Sequence, residues 1–239
     1  GTLFKLEIAN IGSISYNAMV PAITSAIIGD RVVRFLGVKH TIFDKPPLES
    51  FSFTFLLKVV VLAVCFGLAS RSFVFMTNWF KKYLEKYCKN PYIKIFVGGS
   101  LMVIATLVIG NRAYNNLSLG LLKDAFIENI PAIAFIVKLV LTTLCIGSGY
   151  QGGEVTPLFV IGATLGTLLS PIIGVPVVFA ASLGLVGVFS GATNAPLASF
   201  MMYLELFGVN NVLFALLVCI LSVFISGRKG IYNSQLWRE

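Results

Sequence analysis

Hydrophobic residues in this chain come in long runs, separated by short polar or glycine-rich interruptions. The runs predict helices of roughly membrane-crossing length, for which about 20 apolar residues suffice. Leu3 to Asn10 reads as the end of a helix. Tyr16 to Leu36 is predicted as a helix with Pro21 near its beginning, closed by Asp30, Arg31 and Arg34. Gly37 to Ser50 is a polar loop containing Pro46 and Pro47. Phe51 to Phe80 predicts a very long helix, about 45 Å at about 1.5 Å per residue, against a hydrocarbon core of roughly 30 Å. It must tilt, or run on past the bilayer through Trp79 to Cys88.

Pro91 opens the next helix, Tyr92 to Gly110, whose Gly98-Gly99-Ser100 offers a close-packing face. Asn111 to Asn129 is polar with a short apolar centre and predicts short helical pieces. Pro131 to Gly147 spans only about 25 Å if helical. Four glycines between Gly147 and Gly153 then break the helix, since each frees the backbone and removes a side chain. Pro157 to Ile173 carries Gly162 and Gly166 four apart, a small-residue helix interface. Pro176 to Phe189 carries Gly184 and Gly187, and Ser190 to Pro196 is a second predicted break. Leu197 to Phe207 is short, and Asn211 to Ser226 is wholly apolar. Gly227 to Glu239 is polar with an apolar stripe, Ile231, Tyr232, Leu236 and Trp237, and reads as an interfacial helix.

Composition fixes the class. The 239 residues are 57% hydrophobic and 12% charged, whereas soluble domains carry about 25% charge. Mean hydropathy is +0.90. The fold class is therefore all-α and the protein a polytopic membrane protein, with room for roughly six to eight apolar segments. Gly1 is not an initiator Met, and the chain opens on a half-apolar helical segment. Both suggest a fragment or a processed chain. No secretory or transit signal is evident.

The net charge of +8 would hint at nucleic acid in a soluble protein. Here the positive-inside rule accounts for it, and no nucleic-acid partner is expected. Arg71, Lys81, Lys82, Lys86, Lys89 and Lys94 crowd one connection; Arg228, Lys229 and Arg238 crowd the C-terminus. If both are cytoplasmic, an even number of crossings separates them. Cys65, Cys88, Cys145 and Cys219 lack metal-ligand spacing and read as small hydrophobes. His40, beside Lys39, reads as a solvated loop residue. No metal or cofactor is implied. There is no GxSxG, Walker A or HExxH element, and one histidine in a loop argues against a membrane enzyme.

Broken, short segments in the second half are a pointer to transporter binding sites, often built from inverted repeats. Ser199 to Leu206 resembles Gly1 to Ile8, one hint of repetition. The chemistry concentrates at Gly152-Gly153-Glu154-Val155-Thr156-Pro157. A glycine-rich break ahead of a helix start aims free N–H groups at one point, which suits an anion. Irregular backbone survives at membrane depth only inside protein or beside a watery cavity. Glu154 reads either as a proton-handling group beside a permeating ion or as a helix cap. Thr156 reads as a hydroxyl donor to an anion or as a cap of the same turn. Val155 can offer only its backbone N–H, presented by the glycines before it. Tyr232 reads either as a phenol that takes part in the chemistry or as an interfacial anchor. Glu7 and Glu205 follow apolar runs and read as structurally paired, and Thr193 and Asn194 as satisfying backbone groups freed at the second break.

At these residues the chain resembles the CLC family of anion channels and proton-coupled antiporters. Gly152 to Pro157 is similar to that family's GGxFxP motif, at the start of a helix pointing at the central anion. Ser190 to Ala198 resembles its later helix break, and Ile231 to Leu236 resembles the last helix, which supplies a tyrosine hydroxyl to the ion. All three occur in the family's order and spacing. The resemblance covers only the later half of a subunit. It implies residues 1–36 as the end of a first repeat, 37–226 as the second repeat, and 227–239 as a C-terminal cytoplasmic-side helix lining the pathway. The family's GSGxP serine loop and gating glutamate are not found: Gly147-Ser148-Gly149 runs into Tyr150-Gln151. The N-terminal half of the subunit is therefore expected from another chain or segment.

The departures point to one branch. The motif's aromatic is Val155, flanked by Glu154 and Thr156, and GGEVTP resembles the fluoride/proton antiporters. The second proton-relaying carboxylate of chloride/proton members is replaced by Ile8. The resemblance implies a secondary active transporter, multi-pass in a bacterial inner membrane, with fluoride and protons as its ligands and a homodimer in the lipid bilayer. The dimer face would lie on Tyr16–Leu36 and Leu197–Ser226. Gly153, Val155, Thr156 and Tyr232 would bind the anion, Val155 through its backbone and Tyr232 through its hydroxyl. Glu154 would couple or gate. Fluoride is small and strongly hydrated, so added polar groups fit the task of replacing its water. A chloride transporter or channel, or a non-transporting scaffold whose glycines serve only packing, remain the alternatives.

Overall fold

A computed structural model describes residues 7, 10–11, 16–37, 43–127, 130–232 and 236–237. Most of the predicted opening helix, His40, Ile8 and residues 233–235 lie outside them. Nine α-helices occupy the described residues: α1 Tyr16–Phe35, α2 Phe53–Tyr87, α3 Pro91–Ile109, α4 Leu119–Asp124, α5 Ala134–Gly147, α6 Val155–Ile173, α7 Val177–Thr193, α8 Pro196–Phe207 and α9 Val212–Ser226. A 3-10 turn, Arg112–Tyr114, and α4 are the short pieces expected between α3 and α5.

Helices α2, α3 and α6 are long and apolar enough to cross a membrane, and four shorter apolar helices, α5 and α7 to α9, accompany them. The protein is a multi-pass membrane protein. At 35 residues α2 is longer than the sequence predicted, about 52 Å. Its last turns carry Trp79 stacked on Tyr83 at 5.3 Å, beside exposed lysines. No proline interrupts it before Pro91, so nothing local stops it at Phe80.

The molecule is built around α7, buried from Phe179 to Thr193 and packed against α2, α6, α8 and α9. Small residues let it do so. A Cβ placed on Gly162 would lie 2.1 Å from the Gly184 carbonyl oxygen, and one on Gly166 2.2 Å from that of Ala180. Backbone meets backbone where α6 crosses α7, the arrangement the glycine spacing implied. Gly98 leaves room for the Ser148 side chain and Gly147 for that of Phe80. Around α7 lie Phe66 and Phe73 of α2, Leu158 and Ile161 of α6, Tyr203 and Phe207 of α8, and Val218 of α9, all with no exposed surface.

The second break is shorter than predicted. α7 continues through Ser190 to Thr193 because their hydroxyls find carbonyls: Ser190 Oγ donates to Cys219 O at 2.9 Å and Thr193 Oγ1 to Phe189 O at 2.8 Å. The helix ends at Asn194, in the left-handed region at φ 54°. Pro196, at the first position of α8, disfavours helix at Ala195.

The tail departs from the expectation of a helix. Gly227 to Tyr232 is irregular, with Gly227 at φ +88°. Leu236–Trp237 form a two-residue strand, parallel to Asn10–Ile11. α1 lies largely apart from the core, its Val20, Ile27 and Ile28 exposed.

Candidate functional site

Three local events build the site. The first is the end of α5. Ser148 N–H and Oγ both bond Leu144 O, and Gly149 turns the chain at φ +94°. Residues 149–153 then run exposed and irregular to Glu154. Tyr150 ties this loop to α3, its hydroxyl donating to Ile95 O at 3.1 Å.

The second is the start of α6. Glu154 precedes the helix with helical backbone, and its side chain makes no cap hydrogen bond. The capping reading of Glu154 therefore fails. The Tyr232 phenol lies close to its carboxylate instead. The first intrahelical acceptor is used by Leu158 N–H, on Glu154 O at 3.2 Å. Ahead of it, the N–H groups of Val155 and Thr156 have no acceptor among the described residues. Val155 lays its side chain on the core, so only its backbone faces the loop. Thr156 is half-buried, and its hydroxyl makes no hydrogen bond among the described residues. A Cβ on Gly152 or Gly153 would meet nothing within 4 Å, so the space before these amides is open.

The third is the docking of the tail. Ile231 N–H bonds Ala192 O at 2.9 Å. The Asn194 carboxamide, oriented to satisfy both of its polar atoms, donates to Gly227 O at 3.2 Å and accepts from Gly230 N–H at 3.1 Å. The second break thus holds the tail, and the tail carries Tyr232 to Glu154. Asn194 and Thr193 satisfy backbone groups as the sequence suggested, and Asn194 also does the positioning. The geometry brings together Glu154, the open amides of Val155 and Thr156, and the Tyr232 phenol. The Tyr232 phenol thus lies beside a carboxylate.

Glu7 is structural in the sense expected: its two carboxylate oxygens accept from Leu197 N–H at 3.0 Å and Ala198 N–H at 2.7 Å, capping α8. Glu205 is exposed and has no partner among the described residues, so the pairing expected of it is not seen. Cys219 is buried and the other three cysteines half-buried. No cluster of metal-ligating side chains occurs among the described residues.

Sequence reasoning passed over Lys138. It lies in the apolar run before the glycines, 2% exposed. Its ammonium donates to Tyr114 O at 3.0 Å, Asn116 O at 2.7 Å and Ser118 Oγ at 2.8 Å. The signal was available, since an ionisable residue inside a membrane helix is itself a functional pointer.

Known proteins resemble the chain throughout. The family described as "Voltage gated chloride channel" matches residues 1–227. A "Chloride/fluoride channel protein" of Pseudomonas syringae pv. tomato is 35% identical over 98% of this chain and 53% of its own length. An "H(+)/Cl(-) exchange transporter ClcA" of Vibrio parahaemolyticus is 25% identical over 90% of this chain and 50% of its own. A crystal structure of a CLC-type fluoride/proton antiporter superposes with a TM-score of 0.95 at 33% identity, covering 99% of this chain and 60% of that one. The chain spans about half the length of the curated relatives it matches.

Proposed function

The chain belongs to the voltage gated chloride channel family, and on that premise we propose that it is the later half of a fluoride/proton antiporter subunit, exporting fluoride across a bacterial inner membrane. The observation that carries this reading is the meeting of Tyr232 with Glu154 at the open start of α6. Unbonded amides and a phenol are donors to an anion; a carboxylate beside them holds a proton or excludes the ion. In the proposal, fluoride sits against the Gly153–Thr156 backbone and the Tyr232 hydroxyl. Glu154 exchanges the phenol for the ion as it gains or loses its proton. Water is replaced by donors already in place, which is how a strongly hydrated ion is accommodated. The protein acts as a secondary transporter rather than an enzyme, in a homodimer whose subunits each hold a pathway.

The test is proton-coupled fluoride efflux from liposomes containing the full-length subunit. Glu154→Gln should uncouple fluoride from protons, and Tyr232→Phe should slow flux about tenfold, the loss of one hydrogen bond to a charged partner. Proton-coupled flux unchanged in both variants overturns the assignment.

A chloride-carrying reading is favoured by the exchange of chloride for protons in the name of the Vibrio relative. Val155→Phe combined with Glu154→Ile restores the commoner motif chemistry. If the fluoride over chloride preference survives that change, these two residues do not set it. The scaffold reading predicts no thermal stabilisation of the purified protein on titrating fluoride.

A further inference from the structure

The glycine-rich loop has a second side. Behind it, between α3 and α5, lies a cavity of about 180 Å³ lined by Lys138, Thr142, Cys145, Gln151, Gly152 and Gly153 among others. Its electrostatics are one-sided. Lys138 is buried, and its three N–H groups are taken by two carbonyls and a hydroxyl. All three acceptors are neutral. The ion pairs found elsewhere among the described residues are Arg34–Asp30 and Lys94–Glu85, and no described carboxylate reaches Lys138. A buried ammonium without a counter-charge is expensive, even when its hydrogen bonds are made.

Thr142 lies one turn further along the same face of α5 and lines the same cavity. It is 8% exposed, and its hydroxyl has no hydrogen-bond partner among the described residues. The N–H groups of Gly152 and Gly153 likewise have no described acceptor, and the space before these glycines is open. A cation and an idle hydroxyl therefore line a space with room for several waters, beside loop amides without a described acceptor.

We propose that this cavity is a second anion site: a wet antechamber in which a small halide is the counter-ion of Lys138, hydrogen-bonded by Thr142 Oγ1 beside Gly152 of the loop. It rests on the reading of the protein as a halide carrier, and its lining does not include Glu154, Val155, Thr156 or Tyr232. Lys138 acts through its field, because its own donors are held by the 114–118 segment. Thr142 makes the contact. Such a site selects by charge more than by size, since water remains around the ion. Bromide is accordingly a fair probe.

Crystals of the full-length subunit grown in bromide should show two anomalous peaks, one at the start of α6 and one beside Thr142. Thr142→Val, which keeps the side chain's volume, should abolish the second peak and leave the first. Thr142→Ser should keep both. By calorimetry, Thr142→Val should weaken bromide binding at the cavity about tenfold, the loss of one hydrogen bond to a charged group. Lys138→Met should remove the cavity peak as well. A wild-type cavity that holds only water, or a side chain from another segment paired to Lys138, overturns the inference. So does a cavity peak that survives Thr142→Val. If the peak at α6 is the one missing, the fluoride-site reading fails and this inference stands.

Discussion

Single residues decide whether the phenol reaches the carboxylate. Asn194 occupies a left-handed backbone position and bonds two tail residues at once. Replacing it by glycine keeps that backbone conformation accessible while deleting the carboxamide. Asn194→Gly should cost about 1–2 kcal/mol in stability. Its larger effect should be on fluoride flux, which we expect to approach that of Tyr232→Phe. Thermal melts and liposome efflux on the same variant separate the two contributions. Normal flux in Asn194→Gly would mean that other contacts place Tyr232.

Much of this residue-scale picture was legible in the sequence because its signals are local. The paired glycines, Glu154, Val155 and Thr156 are neighbours in the chain, and their meaning depends on one helix start. Lys138 and Asn194 draw theirs from segments twenty or more residues away. No pattern around either residue names its partners.

At the scale of elements, the glycines divide into two kinds. Gly162 and Gly166 carry the crossing of α6 and α7, where an added methyl group meets backbone that cannot swing aside. Gly162→Ala should therefore destabilise by about 1–3 kcal/mol, read as a lower melting temperature with or without fluoride. Gly153→Ala meets no atom within 4 Å and should leave the melting temperature nearly unchanged. It should still weaken fluoride binding, because the methyl group enters the space before the amides. A large loss of stability in Gly153→Ala would mean that this space is already filled. Spacing in the sequence identified the first kind, since a four-residue period puts Gly162 and Gly166 on one helix face. The tail defeated the same kind of reasoning. Its apolar stripe suits a helix, but Ala192 O and the Asn194 carboxamide claim the N–H groups of Ile231 and Gly230 and hold the backbone open.

At the scale of the whole molecule, the uncovered surface is informative. α1 exposes Ile27 and Ile28, α8 exposes Leu197 and Met201, and α9 exposes Leu213 and Phe224. These are the helices on which the family resemblance placed a dimer face. Lipid and a second subunit are both apolar, so burial alone does not distinguish them. A bulky Trp at Leu213 does: it is tolerated in lipid and clashes in a packed interface. Leu213→Trp should shift the purified full-length subunit from dimer to monomer in detergent, measured by light scattering, while leaving its melting profile cooperative. A dimer that persists would move the contact to another face.

The parallel pairing of Asn10–Ile11 with Leu236–Trp237 clasps two segments far apart in the chain just beyond Tyr232. Tension applied to one of these paired segments is thereby shared with the other before it reaches the helices. A mechanical load on the C-terminus, or a bulky domain fused there, would first strain this clasp and then the phenol behind it. Single-molecule pulling from the tail should accordingly silence transport well before any helix unravels.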